Sequence, residues 1–339
     1  MKQFKLYGAI VLAMIFWSVS FIWTRVAIES FQPVTLISLR LLIASVLLFL
    51  VSKLTGKFQN IRKADLKWFV LLAFFEPYMY YIGETYGLTM VESTLASVIV
   101  STIPLFAPIL AYFLLKEKIG WTNVLGILVS LTGVFFVIYE PGGGFAANPL
   151  GVSLLFLAVF SAICYTTTLR KISSHYSTLN IILYQSVIGL AFFIPTFFIA
   201  DFSSIGTLKV SAESLGALLM LSVFASVIAF VLFAAVVRKI GVAKTNVFVN
   251  LIPVFTAVFA WWFLNEQLTW LKISGIVIVV SGLFVSQVSK VKFNFKRIRG
   301  TEESEVTKES EESEKTSGWK DEVSIEGGLV GSGERGDAC

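Results

Sequence analysis

The 339-residue chain is 56% hydrophobic and only 14% charged, with a mean hydropathy of +0.81; soluble domains run at about 45–50% apolar and ~25% charged, so the composition excludes a soluble globular protein and reads as a polytopic membrane protein. The formal net charge of +5 does not point to nucleic acid, because the basic residues gather in the segments between apolar runs. Two cysteines, Cys164 and Cys339, and one histidine, His175, imply no disulfide framework, no metal site and no cofactor.

A helix needs ~20 apolar residues to cross the hydrocarbon core of a bilayer. The N-terminal MKQFKLYGAIVLAMIFW has the charged start of a signal peptide. Its apolar run continues through Trp23 without a small-x-small cleavage site, so it reads as a retained first helix. In chain order the candidate spans are 7–27, 33–53, 66–86, 92–114, 120–139, 149–169, 178–200, 213–237, 244–264 and 270–288, ten in all. The connections are short and hold turn formers, as in EPGGGFAANP after the fifth. Lys2, Lys5, Lys53, Lys57, Arg62, Lys63, Lys67, Lys116, Lys118, Arg170, Lys171, Arg238, Lys239 and Lys244 fall on one side of such a bundle. The other side keeps Lys209, with Arg25 and Lys272 at helix ends. The bias puts both termini in the cytoplasm and the chain in the cell membrane. From about residue 293 to 339 the chain turns polar and acidic (TEESEVTKESEESEKTSGWKDEV) and reads as a disordered tail.

The chain repeats itself. Residues 98–135, VIVSTIPLFAPILAYFLLKEKIGWTNVLGILVSLTGVF, align without gaps on 247–284, VFVNLIPVFTAVFAWWFLNEQLTWLKISGIVIVVSGLF, at a constant offset of 149, with 13 of 38 positions identical. The matches include Pro104 with Pro253, Glu117 with Glu266, Trp121 with Trp270, Gly126 with Gly275 and Gly133 with Gly282. The unit is five helices, giving repeats over 1–140 and 141–292. Five is odd, so the second copy enters the membrane inverted. The turn Lys116-Glu117-Lys118 is basic and its equivalent Asn265-Glu266-Gln267 has lost its positive charge, as inversion requires. Inverted repeats are typical of secondary transporters, whose sites lie near the midplane between the copies.

Several stretches together resemble the EamA-type families of the drug/metabolite transporter superfamily. These are FWSVSF (16–21), PVTLISLRLLIASVLL (33–48), the paired units IPLFAPILAYFLLKEKIGW and IPVFTAVFAWWFLNEQLTW, and ASVIAF (225–230) followed by KIGVAKTNVFVNLIP (239–253). The resemblance covers residues 1 to about 290. It implies a central cavity lined mainly by helices 1, 3, 4, 6, 8 and 9, and export or exchange of small metabolites, amino acids among them.

The third span holds the most unusual stretch, FFEPYMYYIGET (74–85), with two carboxylates in an apolar run. An intramembrane carboxylate is expensive, about 2.5–3.5 kcal/mol on insertion scales, and is a functional candidate by default. Glu76, Tyr80 and Glu84 share one face at i, i+4, i+8. Pro77, Gly83 and Gly87 predict an irregular helix. Glu76 is the candidate partner for a substrate amine or the candidate proton carrier. The competing reading is structural: Arg40 in the second span lies at a depth between the two acids and pairs with Glu84, leaving Glu76 available. In the fourth and ninth spans, Ser97 and Ser101 before Pro104 match Asn246 and Asn250 before Pro253. They make equivalent polar stripes that either bind substrate or bond between helices. Trp17, Ser20 and Thr24 in the first span, Ser161, Tyr165 and Thr168 in the sixth, and Ser222 and Ser226 in the eighth divide the same way between cavity lining and packing. Glu117 and Glu266 are expected to cap or close their turns. No G-x-x-x-x-G-K-[ST] motif is present, which leaves a proton or counter-substrate gradient as the energy source. The expected partners are a small-molecule substrate and the lipid bilayer. A channel, a structural membrane subunit and an intramembrane enzyme are the rival readings; the last lacks any metal cluster or nucleophile–base set.

Overall fold

The computed structural model describes residues 2–106, 108–109, 120–140, 144–145, 147–172, 175–240 and 242–286. Apart from one two-residue hairpin, in which Tyr139 and Glu140 pair antiparallel with Phe145 and Gly144, the described regular structure is helical. The helices are α1 (Lys2–Ala27), α2 (Pro33–Leu54), α3 (Leu66–Ala73), α4 (Tyr80–Met90), α5 (Ser93–Val100), α6 (Trp121–Ile138), α7 (Pro149–Ile172), α8 (Thr178–Ala200), α9 (Ala212–Met220), α10 (Ala229–Ile240), α11 (Val242–Val249), α12 (Ile252–Leu264) and α13 (Trp270–Ser286). Seven helical stretches among the described residues are long and apolar enough to cross a membrane. Shorter apolar helices, Ser93–Phe106 and Trp270–Ser286, occupy the fourth and tenth expected positions. The third position is two half-helices, α3 and α4, joined through an irregular turn at Phe74–Met79. The 293–339 tail and the Glu117 turn lie outside the described residues.

The ends of the helices follow local chemistry. Pro33 opens α2, where its missing N–H costs nothing. Ser177 and Ser211 cap α8 and the eighth stretch by accepting from the amides of Asn180 and Ser214. Asn265 ends α12 in the left-handed region at φ 55°. In the 18-residue apolar stretch of each long helix, 28 to 44% is buried. Leu42, Val46, Phe198, Ile199, Trp261 and Trp262 point outward. An exterior this apolar suits lipid, since soluble monomers rarely expose contiguous apolar patches beyond a few hundred Å².

Helix pairs pack in a reciprocal pattern. Helices α2 and α8 run antiparallel. At one end Thr35 donates from N and Oγ1 to Asp201 Oδ2 at 2.7 and 2.9 Å; at the other, Ser52 Oγ donates to Asn180 Oδ1 at 3.3 Å. Helices α6 and α13 are also antiparallel, and backbone meets backbone. A Cβ added at Gly126 would lie 2.6 Å from Gly282 O, and one added at Gly275 would lie 2.7 Å from Gly133 O. Shifting the first contact by the 149-residue offset yields the second. Helix α1 packs on α9 and α10, and α7 packs on α3 and α4. The first helix of each repeat unit thus lies against the third stretch of the other. Small residues allow this closeness: a Cβ at Gly83 would sit 2.5 Å from Leu154 O.

Candidate functional site

The site is built on the broken third stretch. Pro77 has no N–H, and its ring would clash with the carbonyl four residues back in a continuous helix. Glu76 takes extended backbone angles, φ −141° and ψ 116°, and its peptide to Pro77 is cis. The expected irregular helix is therefore an actual interruption. The Phe75 carbonyl at the break accepts from Ser161 Oγ at 2.6 Å and from the Tyr80 amide. The eighth stretch has its own wide turn, Leu221–Ile228, at the position 149 residues on. There Ala225 O accepts from Trp17 Nε1 at 3.3 Å. At both turns a side chain from the first helix of the opposite repeat unit occupies a backbone carbonyl. Non-helical backbone at membrane depth is tolerated only where protein or a wet cavity surrounds it.

Around the break, α2, α4, α7, α8 and the eighth stretch bring polar groups together. Tyr80 OH donates to Glu84 Oε1 at 3.0 Å. Arg40 Nε donates to Ser226 Oγ at 2.8 Å, and the guanidinium lies 4.4 Å from the centroid of the Tyr81 ring. Tyr165 OH donates to Gln185 Oε1 at 3.1 Å. The half-buried Glu76 carboxylate makes no hydrogen bond or ion pair among the described residues, yet it lies within electrostatic range of Arg40, Glu84, Tyr80, Tyr81 and Tyr165. Two carboxylates thus share one guanidinium in a low-dielectric setting, where each charge acts strongly on the others.

Arg40 and Glu84 do not form the direct ion pair expected from their depths. The guanidinium is held by the Tyr81 face and Ser226, and Glu84 by Tyr80; Arg40 acts on Glu84 through space. The structure gathers Glu76, Tyr80, Tyr165, Ser226, Arg40 and Glu84 in one cluster. It adds Tyr81 and Gln185, which the sequence reading missed. Gln185 carries a signal, being the one side-chain amide of α8 beyond its first turn, which holds Asn180; Tyr81 is hidden beside Tyr80.

The other candidates are placed differently. Ser97 and Ser101 are buried, and their hydroxyls donate to Thr94 O and Val98 O of their own helix at 2.8 and 2.7 Å. Ser20 donates to Trp17 O at 2.6 Å. Trp17 packs edge-on to Phe230 and tilted against Phe233. Thr24 and Asn250 are buried, and the Asn246 side chain lies outside the described residues. Thr168 and Ser222 bond back to Cys164 O and Leu218 O. Glu266 does not close its own turn with its side chain but caps the start of α5. Its Oε1 accepts from Ser93 N at 2.7 Å, and its Oε2 from Thr94 N and Oγ1 at 3.1 and 2.7 Å. No group of metal-ligating side chains occurs among the described residues.

A cavity of about 290 Å³ opens away from this cluster, at the end of the bundle where α1 finishes and α5 begins. Arg25, Glu92 and Lys272 line it.

The EamA-like transporter family model matches residues 5–139 and 149–287. The chain is 29% identical over 293 residues to the uncharacterized transporter YetK of Bacillus subtilis (strain 168), covering 85% of this chain and 88% of that protein. It is 28% identical over 281 residues to an uncharacterized transporter of Archaeoglobus fulgidus, covering 83% and 98%. A probable terminal-alkyne amino-acid exporter of Streptantibioticus cattleyicolor is 24% identical over 285 residues, covering 84% and 94%. A crystal structure described only as that of a protein superposes with a TM-score of 0.62 at 16% identity, covering 83% of this chain and 98% of that one. That likeness speaks for the fold alone.

Proposed function

The chain belongs to the EamA-like transporter family and is a multi-pass membrane protein, and on that premise we propose that it is a secondary active exporter or exchanger of small organic metabolites, amino acids among them. In this reading ten spans form two inverted five-helix halves, both termini face the cytoplasm, and the halves rock about a shared seam in the cell membrane. The reciprocal packing of α6 with α13, and of each repeat unit's first helix with the other's third stretch, supports it. Irregular helices near the midplane are where transporters of this class place substrate and coupling ions, and here the third stretch is interrupted while the eighth is continuous with a wide turn.

The observation that carries the reading is Glu76: a half-buried carboxylate at a helix break, unbonded, beside Arg40, Glu84 and Tyr165. A buried carboxylate without a fixed partner takes up a proton or an ammonium group when one is offered. Glu84 and Arg40, each held by neighbours, set the field in which it does so. Tyr165 and Gln185 supply orienting hydrogen bonds to the substrate. The kinship to a probable amino-acid exporter supports an amine-bearing cargo.

Proteoliposomes preloaded with unlabelled amino acids test the reading. Uptake of labelled substrate accelerated by the internal pool identifies an exchanger, and uptake driven by an imposed proton gradient a proton-coupled carrier; flux indifferent to both identifies a channel and refutes the proposal.

A further inference from the structure

The cavity at the α1/α5 end is not part of the Glu76 cluster. Its polar wall holds two cations and one carboxylate. Lys272 Nζ donates to Glu92 Oε2 at 2.6 Å. The Lys272 side chain is only 8% exposed, whereas Glu92 is 45% exposed. An ammonium carries three donors, and among the described residues Glu92 is the only hydrogen-bond partner of the Lys272 ammonium. Arg25 donates from one guanidinium nitrogen to Leu88 O, where a guanidinium has five N–H donors in a fixed fork that suits carboxylates. The remaining wall is aliphatic, with Leu95, Val137 and Ile138.

We propose that this cavity is a separate binding site for small aliphatic carboxylates, with Arg25 and Lys272 holding the carboxylate and Leu95, Val137 and Ile138 the hydrocarbon. Glu92 offsets one of the two cations, so the wall has one surplus positive charge. A monocarboxylate neutralises it, whereas a phosphate dianion leaves a buried charge uncompensated, which is costly. A ligand that also bears an ammonium gains Glu92 as a partner, so α-amino acids fit both ends. The volume is at the small end of ligand sites, which run to about 300–1,000 Å³. Charge bias in the loops makes this end of the bundle external. The site is then the vestibule through which substrate passes between the outside and the Glu76 cluster. This role rests on the transport reading; binding itself does not.

The test uses the full chain in nanodiscs and saturation-transfer NMR with three probes of matched length: n-pentanoate, L-norvaline and n-pentylamine. Pentanoate and norvaline are expected to bind at millimolar concentrations and pentylamine to fail. Arg25→Gln and Lys272→Gln each weaken pentanoate about tenfold or more, since each removes a charge-assisted contact. Lys272→Arg retains binding and so separates lost charge from lost fold. Glu92→Gln weakens norvaline and leaves pentanoate bound at least as tightly. Glu76→Gln leaves pentanoate binding unchanged. Three results overturn the proposal: no pentanoate binding, equal binding of pentylamine, or pentanoate binding lost in Glu76→Gln but unaltered in Arg25→Gln and Lys272→Gln. A protein that binds pentanoate as described but shows no transport sinks the transport reading and leaves the site standing.

Discussion

The α6/α13 contact offers a quantitative test of the fold. Gly126 and Gly275 occupy equivalent positions 149 residues apart, and each faces backbone. Alanine at Gly126 places its Cβ 2.6 Å from Gly282 O and 2.9 Å from Ser286 N. Alanine at Gly275 places it 2.7 Å from Gly133 O and 3.0 Å from Val137 N. A flexible side chain yields to such an intruder, but a helix backbone does not. The helices must part by roughly 0.8 Å to restore ordinary contact of ~3.4 Å, and overpacking of this kind costs about 1–3 kcal/mol. Parting also stretches the bond from Ser130 Oγ to Val279 O, already 3.1 Å, and the Asn123–Ser286 contacts. Gly8→Ala and Gly216→Ala meet nothing within 4 Å and serve as controls. Thermal unfolding in detergent, followed by thiol-reactive dye or tryptophan fluorescence, reads the difference. Gly126→Ala and Gly275→Ala are expected to lower the transition by similar amounts, several degrees each. Controls and interface variants of equal stability would refute the packing.

Three further expectations follow from the cluster and the cap. Arg40→Gln removes the cation that acts through space on Glu76 and Glu84 and its charge-assisted bond to Ser226, and should cost about 1.5–3 kcal/mol; folded yield by size-exclusion chromatography falls, adding Glu84→Gln restores part of it, and an unchanged yield would contradict the shared-cation arrangement. Glu266→Ala leaves Ser93 and Thr94 amides at the start of α5 without their acceptor, a loss of about 1–3 kcal/mol that hydrogen exchange at those amides detects; unchanged protection would contradict the cap. Ser161→Ala strips a side-chain donor from the Phe75 carbonyl, so transport should fall with little loss of folded protein, and unimpaired transport would show that this bond does not hold the break in register.

Much of this arrangement is legible in the chain because its physics is periodic. Long apolar runs announce helices regardless of their neighbours, and the constant 149-residue offset announces equivalent packing, down to the glycines that later meet in space. The interruption at Glu76 was foreseeable from Pro77, because a missing donor acts locally. The partners of Arg40 were not. Depth along two helices predicts that Arg40 and Glu84 come near each other, but the rotation of each helix decides what they touch, and the ring of Tyr81 and the hydroxyl of Ser226 stand on the guanidinium. Ser97 and Ser101 illustrate the same limit. A serine stripe at i, i+4 marks one face of a helix, yet each hydroxyl turns back onto its own backbone. The charged cavity was illegible for another reason: Arg25, Glu92 and Lys272 are far apart in sequence and looked like ordinary helix-end residues.

In the proposed transport cycle Glu76 is the group that changes its load between states. Purified wild-type and Glu76→Gln protein, reconstituted at equal density, can be compared for substrate flux and accompanying proton movement from mildly acidic to mildly alkaline pH. Glu76→Gln, folded and inserted, is expected to lose transport or to run it without proton coupling and without pH dependence. Flux and coupling identical to wild type at every pH would contradict it.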